Sequence, residues 1–161
     1  MLSFQKLYDF YAKDVYRFAV WLSGSPQEAE DITSETFISA WARHKSIRTK
    51  TLKAYLLTIA RNIHLAQRRK DKKHVPLQDI YPDPAPEPGH RIESHLKLLE
   101  IQAVLQMIPE IDRTAFILRV QSELPYEEIA RALELSLAAA KVKVHRVRQK
   151  LLAACLDKEV I

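Results

Sequence analysis

PYEEIARALELSLAAAKVKVHRVRQKL, residues 125–151, is the stretch that decides the fold class. Pro125 suits the start of a short helix whose Tyr126, Ile129, Ala130 and Leu133 recur at helical spacing and face inward. A tight turn at Glu134-Leu135 leads to Ser136, a residue whose hydroxyl can cap the next helix. In that helix Leu137, Ala140, Val144, Val147 and Leu151 follow one another at steps of 3, 4, 3 and 4, one apolar stripe on one face. A short helix, a tight turn and a basic helix predict a helix-turn-helix.

Successive helical residues lie 100° apart, so the stripe fixes what faces outward. Ala138, Val142, His145, Arg146 and Gln149 lie opposite it. Lys141 and Arg148 flank one side, Lys143 and Lys150 the other. Small residues ringed by cations suit insertion into a DNA major groove. Arg146 is the strongest candidate for a base-edge or phosphate contact, and a thymine methyl would accommodate Val142. The plainer reading is a solvated basic helix.

Outward from this stretch, the chain of 161 residues reads as all-α. It has only two glycines, Gly24 and Gly89, so tight β-hairpins and Gly-rich phosphate loops are hard to build. Five of its eight prolines fall between Val75 and Gly89. Proline fixes φ and lacks an amide donor, so this stretch predicts an extended tether, residues 74–92, between two helical domains at 1–73 and 93–161; a loop inside one domain is the alternative. In the first domain Phe4, Leu7, Tyr8, Tyr11, Val15, Phe18, Ala19 and Leu22 mark one helix. Ser25-Pro26-Gln27-Glu28 carries the capping-box pattern of a second, running to about Arg43. After the polar His44–Lys50, Thr51 caps a third with Leu52, Tyr55, Leu56, Ile59 and Ile63 buried. In the second domain Leu96, Leu99, Ala103 and Met107 mark a helix ended by Pro109, and another spans about Glu110 to Gln121.

The formal net charge is +5, distributed unevenly. Residues 1–73 hold 14 Lys/Arg against 7 Asp/Glu, residues 93–134 hold 4 against 8, and residues 135–161 hold 6 against 2. Two separate basic surfaces follow, which fits an anionic partner. The lone Cys155 permits no internal disulfide and, near the apolar side of the last helix, reads as a buried thiol. Residues 1–30 lack a sustained apolar stretch and no segment nears the ~20 apolar residues of a membrane span. A cytoplasmic protein with no membrane insertion is therefore expected. No P-loop, dinucleotide fingerprint or HExxH occurs. His90, His95 and Cys155 offer only a weak metal pattern. The expectation is no metal, no cofactor, no small-molecule substrate and no catalytic residue.

Three motifs now resemble a known family. Ala29-Glu30-Asp31-Ile32-Thr33-Ser34-Glu35-Thr36-Phe37-Ile38-Ser39-Ala40-Trp41 resembles the core of region two of bacterial sigma factors. Ala54-Tyr55-Leu56-Leu57-Thr58-Ile59-Ala60-Arg61-Asn62 resembles the element that follows it. Leu124-Pro125-Tyr126-Glu127-Glu128-Ile129-Ala130, with Lys141, His145, Arg146 and Arg148, resembles region four. Order and spacing match, and two domains with no region three between them resemble the extracytoplasmic-function class.

The resemblance implies two small helical domains, a region 2 bundle of three or four helices and a region 4 helix-turn-helix, joined by a Pro-rich linker. It implies an alternative sigma factor, not an enzyme, that binds core RNA polymerase and promoter DNA and is held inactive by an anti-sigma factor. It places polymerase binding at Asp31, Glu35, Phe37 and Trp41. Asp31 and Glu35, like charges at i,i+4, cost roughly 0.2–0.5 kcal/mol in an isolated helix, which a basic partner would offset; Phe37 and Trp41 are by type more often core. Capture of the opened −10 strand falls to Lys53, Tyr55, Arg61, Asn62, Arg68 and Arg69, with the loop 44–50 receiving a flipped base and the run Arg68–Lys73 on phosphates. Reading of the −35 duplex falls to Ser136, Ala138, Ala139, Lys141, Val142, Lys143, His145, Arg146 and Arg148. Tyr55 replaces the family's usual Trp, and Ala139 and Val142 replace polar readers. Glu134 stands where the turn usually has Gly, so either a left-handed residue costs roughly 1 kcal/mol there or the turn differs. A helix-turn-helix regulator without initiation activity is the second reading; a protein-interaction scaffold with acidic partners is the third.

Overall fold

In the computed structural model, residues 3–43, 52–71 and 90–159 are described, the side chains of 90–96, 98 and 155–159 excepted. The expectations for Thr51, the loop 44–50, Lys72, Lys73, residues 74–89 and the side chains of His90, His95 and Cys155 lie outside them. The described residues form seven helices and no strand: α1 (Phe4–Ser23), α2 (Pro26–Ala42), α3 (Leu52–Asp71), α4 (His90–Met107), α5 (Glu110–Val120), α6 (Tyr126–Leu133) and α7 (Leu137–Glu159). Residues 90–92, expected in the tether, belong to α4.

Helices α1–α3 pack on one another. Ser3 caps α1 by accepting from the Lys6 amide, and Gly24 ends it at φ 74°. That left-handed conformation costs glycine nothing. Leu7, Val15, Phe18, Ala19 and Leu22 are buried as the spacing requires, while Phe4 and Tyr8 are 36% and 41% exposed at the rim. Ser25 caps α2 by accepting from the Glu28 amide at 3.2 Å. The reciprocal half of the expected capping box is supplied differently, because the Ser25 amide donates to Ser23 Oγ. On α2 the Thr33 and Thr36 hydroxyls donate to the carbonyls of Ala29 and Ile32, so these buried polar groups cost little.

The inward face of α3 departs from the expected stripe. Leu52, Leu56, Ala54, Leu57, Ala60 and His64 are buried, whereas Tyr55, Ile59 and Ile63 are half-buried. The physical reason is that α3 is covered twice, by α1 and α2 and by α6, so its buried arc is wider than one stripe. In α4, Met107 is 87% exposed; Leu105 and Ile108 are buried, with Ile101 and Val104 packed beside them. The expected α4 stripe ending at Met107 is thus rotated toward α1, α5 and α7.

In the second module α7 lies across α5 and α6. Ala140, Val144 and Val147 are buried and Leu151 packs against them, as the 3-4 spacing requires; Leu137 at the helix start is 40% exposed. The turn keeps the geometry that a glycine would give. Glu134 adopts φ 56°, ψ 45°, and the Leu135 amide donates to the Ala130 carbonyl at 2.9 Å, closing α6 with a Schellman-type bond. Glu134 therefore carries the left-handed cost. Glu134→Gly is expected to stabilise the protein by about 1 kcal/mol, read as a higher denaturant midpoint with unchanged slope.

The two modules also meet each other. α1 packs on α4 and α5, and α3 on α6. The Gln106 side-chain amide donates to the Leu22 carbonyl at 3.1 Å, Lys53 Nζ to the Ser122 carbonyl at 2.6 Å, and Arg61 grips Glu110.

Candidate nucleic-acid interface

On α7, Ser136 accepts from the Ala139 amide at 3.1 Å and acts as the N-cap. Its hydroxyl is thereby committed to the helix start. Ala138, Lys141, His145, Arg146 and Arg148 are exposed, Val142 is 44% exposed, and Ala139 is half-buried. Lys141 Nζ lies 5.9 Å from the Tyr126 ring centroid and Arg119 lies 4.4 Å from it. This cation–aromatic stack fixes the α6 approach to α7. Lys143 does not join the outward face. Its Nζ donates to Asp112 Oδ1 at 2.8 Å, a half-buried ion pair binding α7 to α5. A cation at the edge of the buried stripe finds a carboxylate on the neighbouring helix before it finds solvent.

The α3 group is divided. Asn62 and Arg69 are exposed. Arg68 donates to the Ser23 carbonyl at the end of α1, where an unpaired helix-end carbonyl welcomes a cation. Tyr55 lines a cleft of about 450 Å³ with Ala54 and Thr58 on one wall and Glu128, Arg131, Ala132 and Glu134 on the other. Arg61 makes a two-pronged contact, Nε to Glu110 Oε1 at 2.7 Å and an Nη to Oε2 at 2.9 Å. Thr114 also donates to Oε1 at 2.7 Å. Burial pushes the Glu110 carboxyl up, but the hydrogen bonds from Arg61 and Thr114 outweigh it and hold the pKa below its ordinary value. Behind this pair, His64 and Arg113 are buried. Arg113 reaches the Leu105 and Gln106 carbonyls at the end of α4, and burial lowers its pKa while Glu110 opposes that.

On α2, Asp31, Glu35, Ile38 and Ala42 are exposed and stand at i, i+4, i+7 and i+11, one outward face. Phe37 is 1% exposed and meets Tyr8 edge-on at 5.0 Å. It is packed in the core, on the side of α2 that α1 covers. Trp41 is half-buried against Phe4 at 5.7 Å. Ile38, which sequence reasoning did not single out, is 67% exposed on the same face. Its signal was available, since it stands three residues from Glu35 and seven from Asp31. Among the described residues, no group of His, Cys, Asp and Glu could hold a metal, and no helix is long and apolar enough to cross a membrane.

The sigma-70 region 2 family model matches residues 7–74 and the sigma-70 region 4 model residues 98–151. The ECF RNA polymerase sigma factor SigM of Bacillus subtilis is 29% identical over 157 residues, 94% of each chain. The ECF RNA polymerase sigma factor EcfG of Rhodopseudomonas palustris is 33% identical over 139 residues, 84% of this chain and 76% of that one. Among solved structures, the sigma factor RpoE of Bartonella quintana, in complex with the anti-sigma factor NepR, superposes with a TM-score of 0.78 at 28% identity over 94% of this chain and 96% of that one. With both sigma-70 regions present in order on the helices that carry the basic and acidic faces, the chain belongs to the ECF family of sigma-70 RNA polymerase sigma factors and directs transcription initiation.

Proposed function

We propose that the chain binds core RNA polymerase through the α2 face of Asp31, Glu35 and Ile38. It then captures the opened −10 strand with Lys53, Tyr55, Arg61, Asn62 and Arg69 of α3 and reads the −35 duplex with the α7 face around Val142, His145, Arg146 and Arg148. The observation that carries this reading is the α7 face itself: its apolar stripe is spent on the core while its cations and an exposed valine stand together outward, as major-groove entry needs. The chemistry of RNA synthesis belongs to the polymerase, so the chain is no catalyst, and it works in the cytoplasm. Its likeness to an anti-sigma-bound structure supports an anti-sigma partner that contacts both modules.

Run-off transcription with purified core polymerase on a genomic fragment library tests the whole reading. Initiation at a restricted set of fragments is expected; initiation on none overturns it. Ile38→Ala removes most of an exposed apolar side chain at the centre of the α2 face. It should weaken polymerase binding on the order of tenfold, the equivalent of ~1.4 kcal/mol, with no loss of thermal stability. Binding that is unchanged removes Ile38 from the contact.

A further inference from the structure

The outward side of α1 carries Lys6, Phe10, Lys13 and Arg17, all exposed, at i, i+4, i+7 and i+11, a single face of the helix. Phe10 stands 75% exposed among the cations. The outward side of α2 carries the opposite pattern, Asp31 and Glu35 with the exposed Ile38. Among the described residues, none of these charged side chains has an ion-pair partner. We propose that the two faces form one self-complementary surface, through which two copies of the chain pair with α1 of each on α2 of the other.

The placement of the residues supports this. Phe4 meets Trp41 and Tyr8 meets Phe37. The two helices therefore run antiparallel, with Lys13 level with the turn that carries Asp31 and Arg17 level with the turn that carries Glu28. Between them lies an open groove of about 480 Å³ lined by Tyr8, Ala12, Tyr16 and Thr33, with Lys13 and Glu30 also on it. A two-fold axis along this groove turns a second copy face to face with the first and lays its α1 over α2 without sliding either helix. Lys13 and Arg17 then reach Asp31 and Glu35 of the second copy, and Phe10 comes within a turn of its Ile38. Each contact occurs twice, as an isologous interface requires. With the axis across the helices instead, α1 would meet α1 and cations would face cations. A partner of another kind would need an acidic stripe and a basic stripe side by side at this same spacing, which this surface itself supplies. The 17 residues of α2 span about 25 Å and two helices are about 20 Å wide, so pairing covers on the order of 1,000 Å² in all, the low end for a specific interface. Weak affinity that falls with added salt follows from that area and those exposed charges. Pairing also hides Asp31, Glu35 and Ile38 from polymerase, a consequence that rests on the reading of α2 given above.

Sedimentation equilibrium of the full chain at low salt tests the pairing. A dimer with a dissociation constant on the order of tens of micromolar is expected; a chain that stays monomeric well above that concentration overturns the proposal. Lys13→Glu/Arg17→Glu makes both faces acidic, and Asp31→Lys/Glu35→Lys makes both basic. Each folded variant alone should self-associate at least about tenfold more weakly. Mixed in equal amounts, the two should form a one-to-one pair at about the parent's affinity, because every contact again joins opposite charges. Parental self-association by either variant, or a mixture that stays monomeric, overturns the proposal. Phe10→Ser alters an exposed side chain and no core packing, and should weaken pairing about tenfold; unchanged pairing removes Phe10 from the interface. Core polymerase added to the parent should dissolve the dimer. A polymerase complex that holds paired chains removes the α2 face from the polymerase contact and leaves the pairing standing.

Discussion

Phe37→Ala is expected to destabilise the protein by about 4 kcal/mol, the range for deleting a buried aromatic ring from a packed core. Phe37 is 1% exposed and lies edge-on to Tyr8 at 5.0 Å, so its loss opens a cavity between α1 and α2. Urea unfolding at neutral pH reads the effect. Polymerase binding will fall with it, but through loss of the α2 scaffold. Phe37→Leu separates the two causes, because it keeps the site apolar and nearly filled and should spare most of the stability. Near-normal polymerase binding is expected for that variant. A folded Phe37→Leu that no longer binds polymerase would return Phe37 to the contact surface and refute its place in the core.

Acidification is expected to remove on the order of 3 kcal/mol of stability between pH 6.5 and about 4 through a single histidine. His64 sits on α3 under the interface, its Nε2 without a hydrogen-bond partner among the described residues. Burial first, then repulsion from Arg68, Arg113 and Arg61, lower its pKa from 6.5 to about 4, with Glu110 pulling the other way. The unfolded chain takes up a proton at 6.5 and the folded chain does not. His64 thus leaves stability whole above pH 6.5 and erodes it as pH falls toward 4. Glu110 acts in the same direction at lower pH: its carboxyl lies below 4.5 in the folded chain, so its contribution is present above 4.5 and is lost as pH falls through the folded value. Urea-derived stability measured from pH 7.5 to 4.5 should slope by at most ~1.4 kcal/mol per pH unit below 6.5 in the parent and stay nearly flat to about pH 5 in His64→Leu. Parallel curves for the two would show that His64 does not titrate with unfolding.

The elements that sequence reading placed well share a property. Each declares its partner within one or two helical turns. Ser25 and Pro26 start α2, and Ser136 starts α7. The Ala140, Val144, Val147 stripe is buried as its spacing demands. Local spacing encodes these because capping and one-sided burial are settled by residues three or four apart.

Tertiary structure decided the rest. Spacing gives a helix one inward direction, but α3 is covered from two sides, so His64 is buried and Tyr55 faces a cleft. Lys143 reads as a groove-facing cation until Asp112, 31 residues away, is brought to 2.8 Å. Arg61 reads as a strand contact until Glu110, 49 residues away, meets it across the two modules. The sequence by itself determined the all-α, two-region plan and its charged faces, because hydrophobic period and caps are local. Only the fold determined which of those charges reach solvent, because a cation's partner is chosen by distance in space and not by separation along the chain.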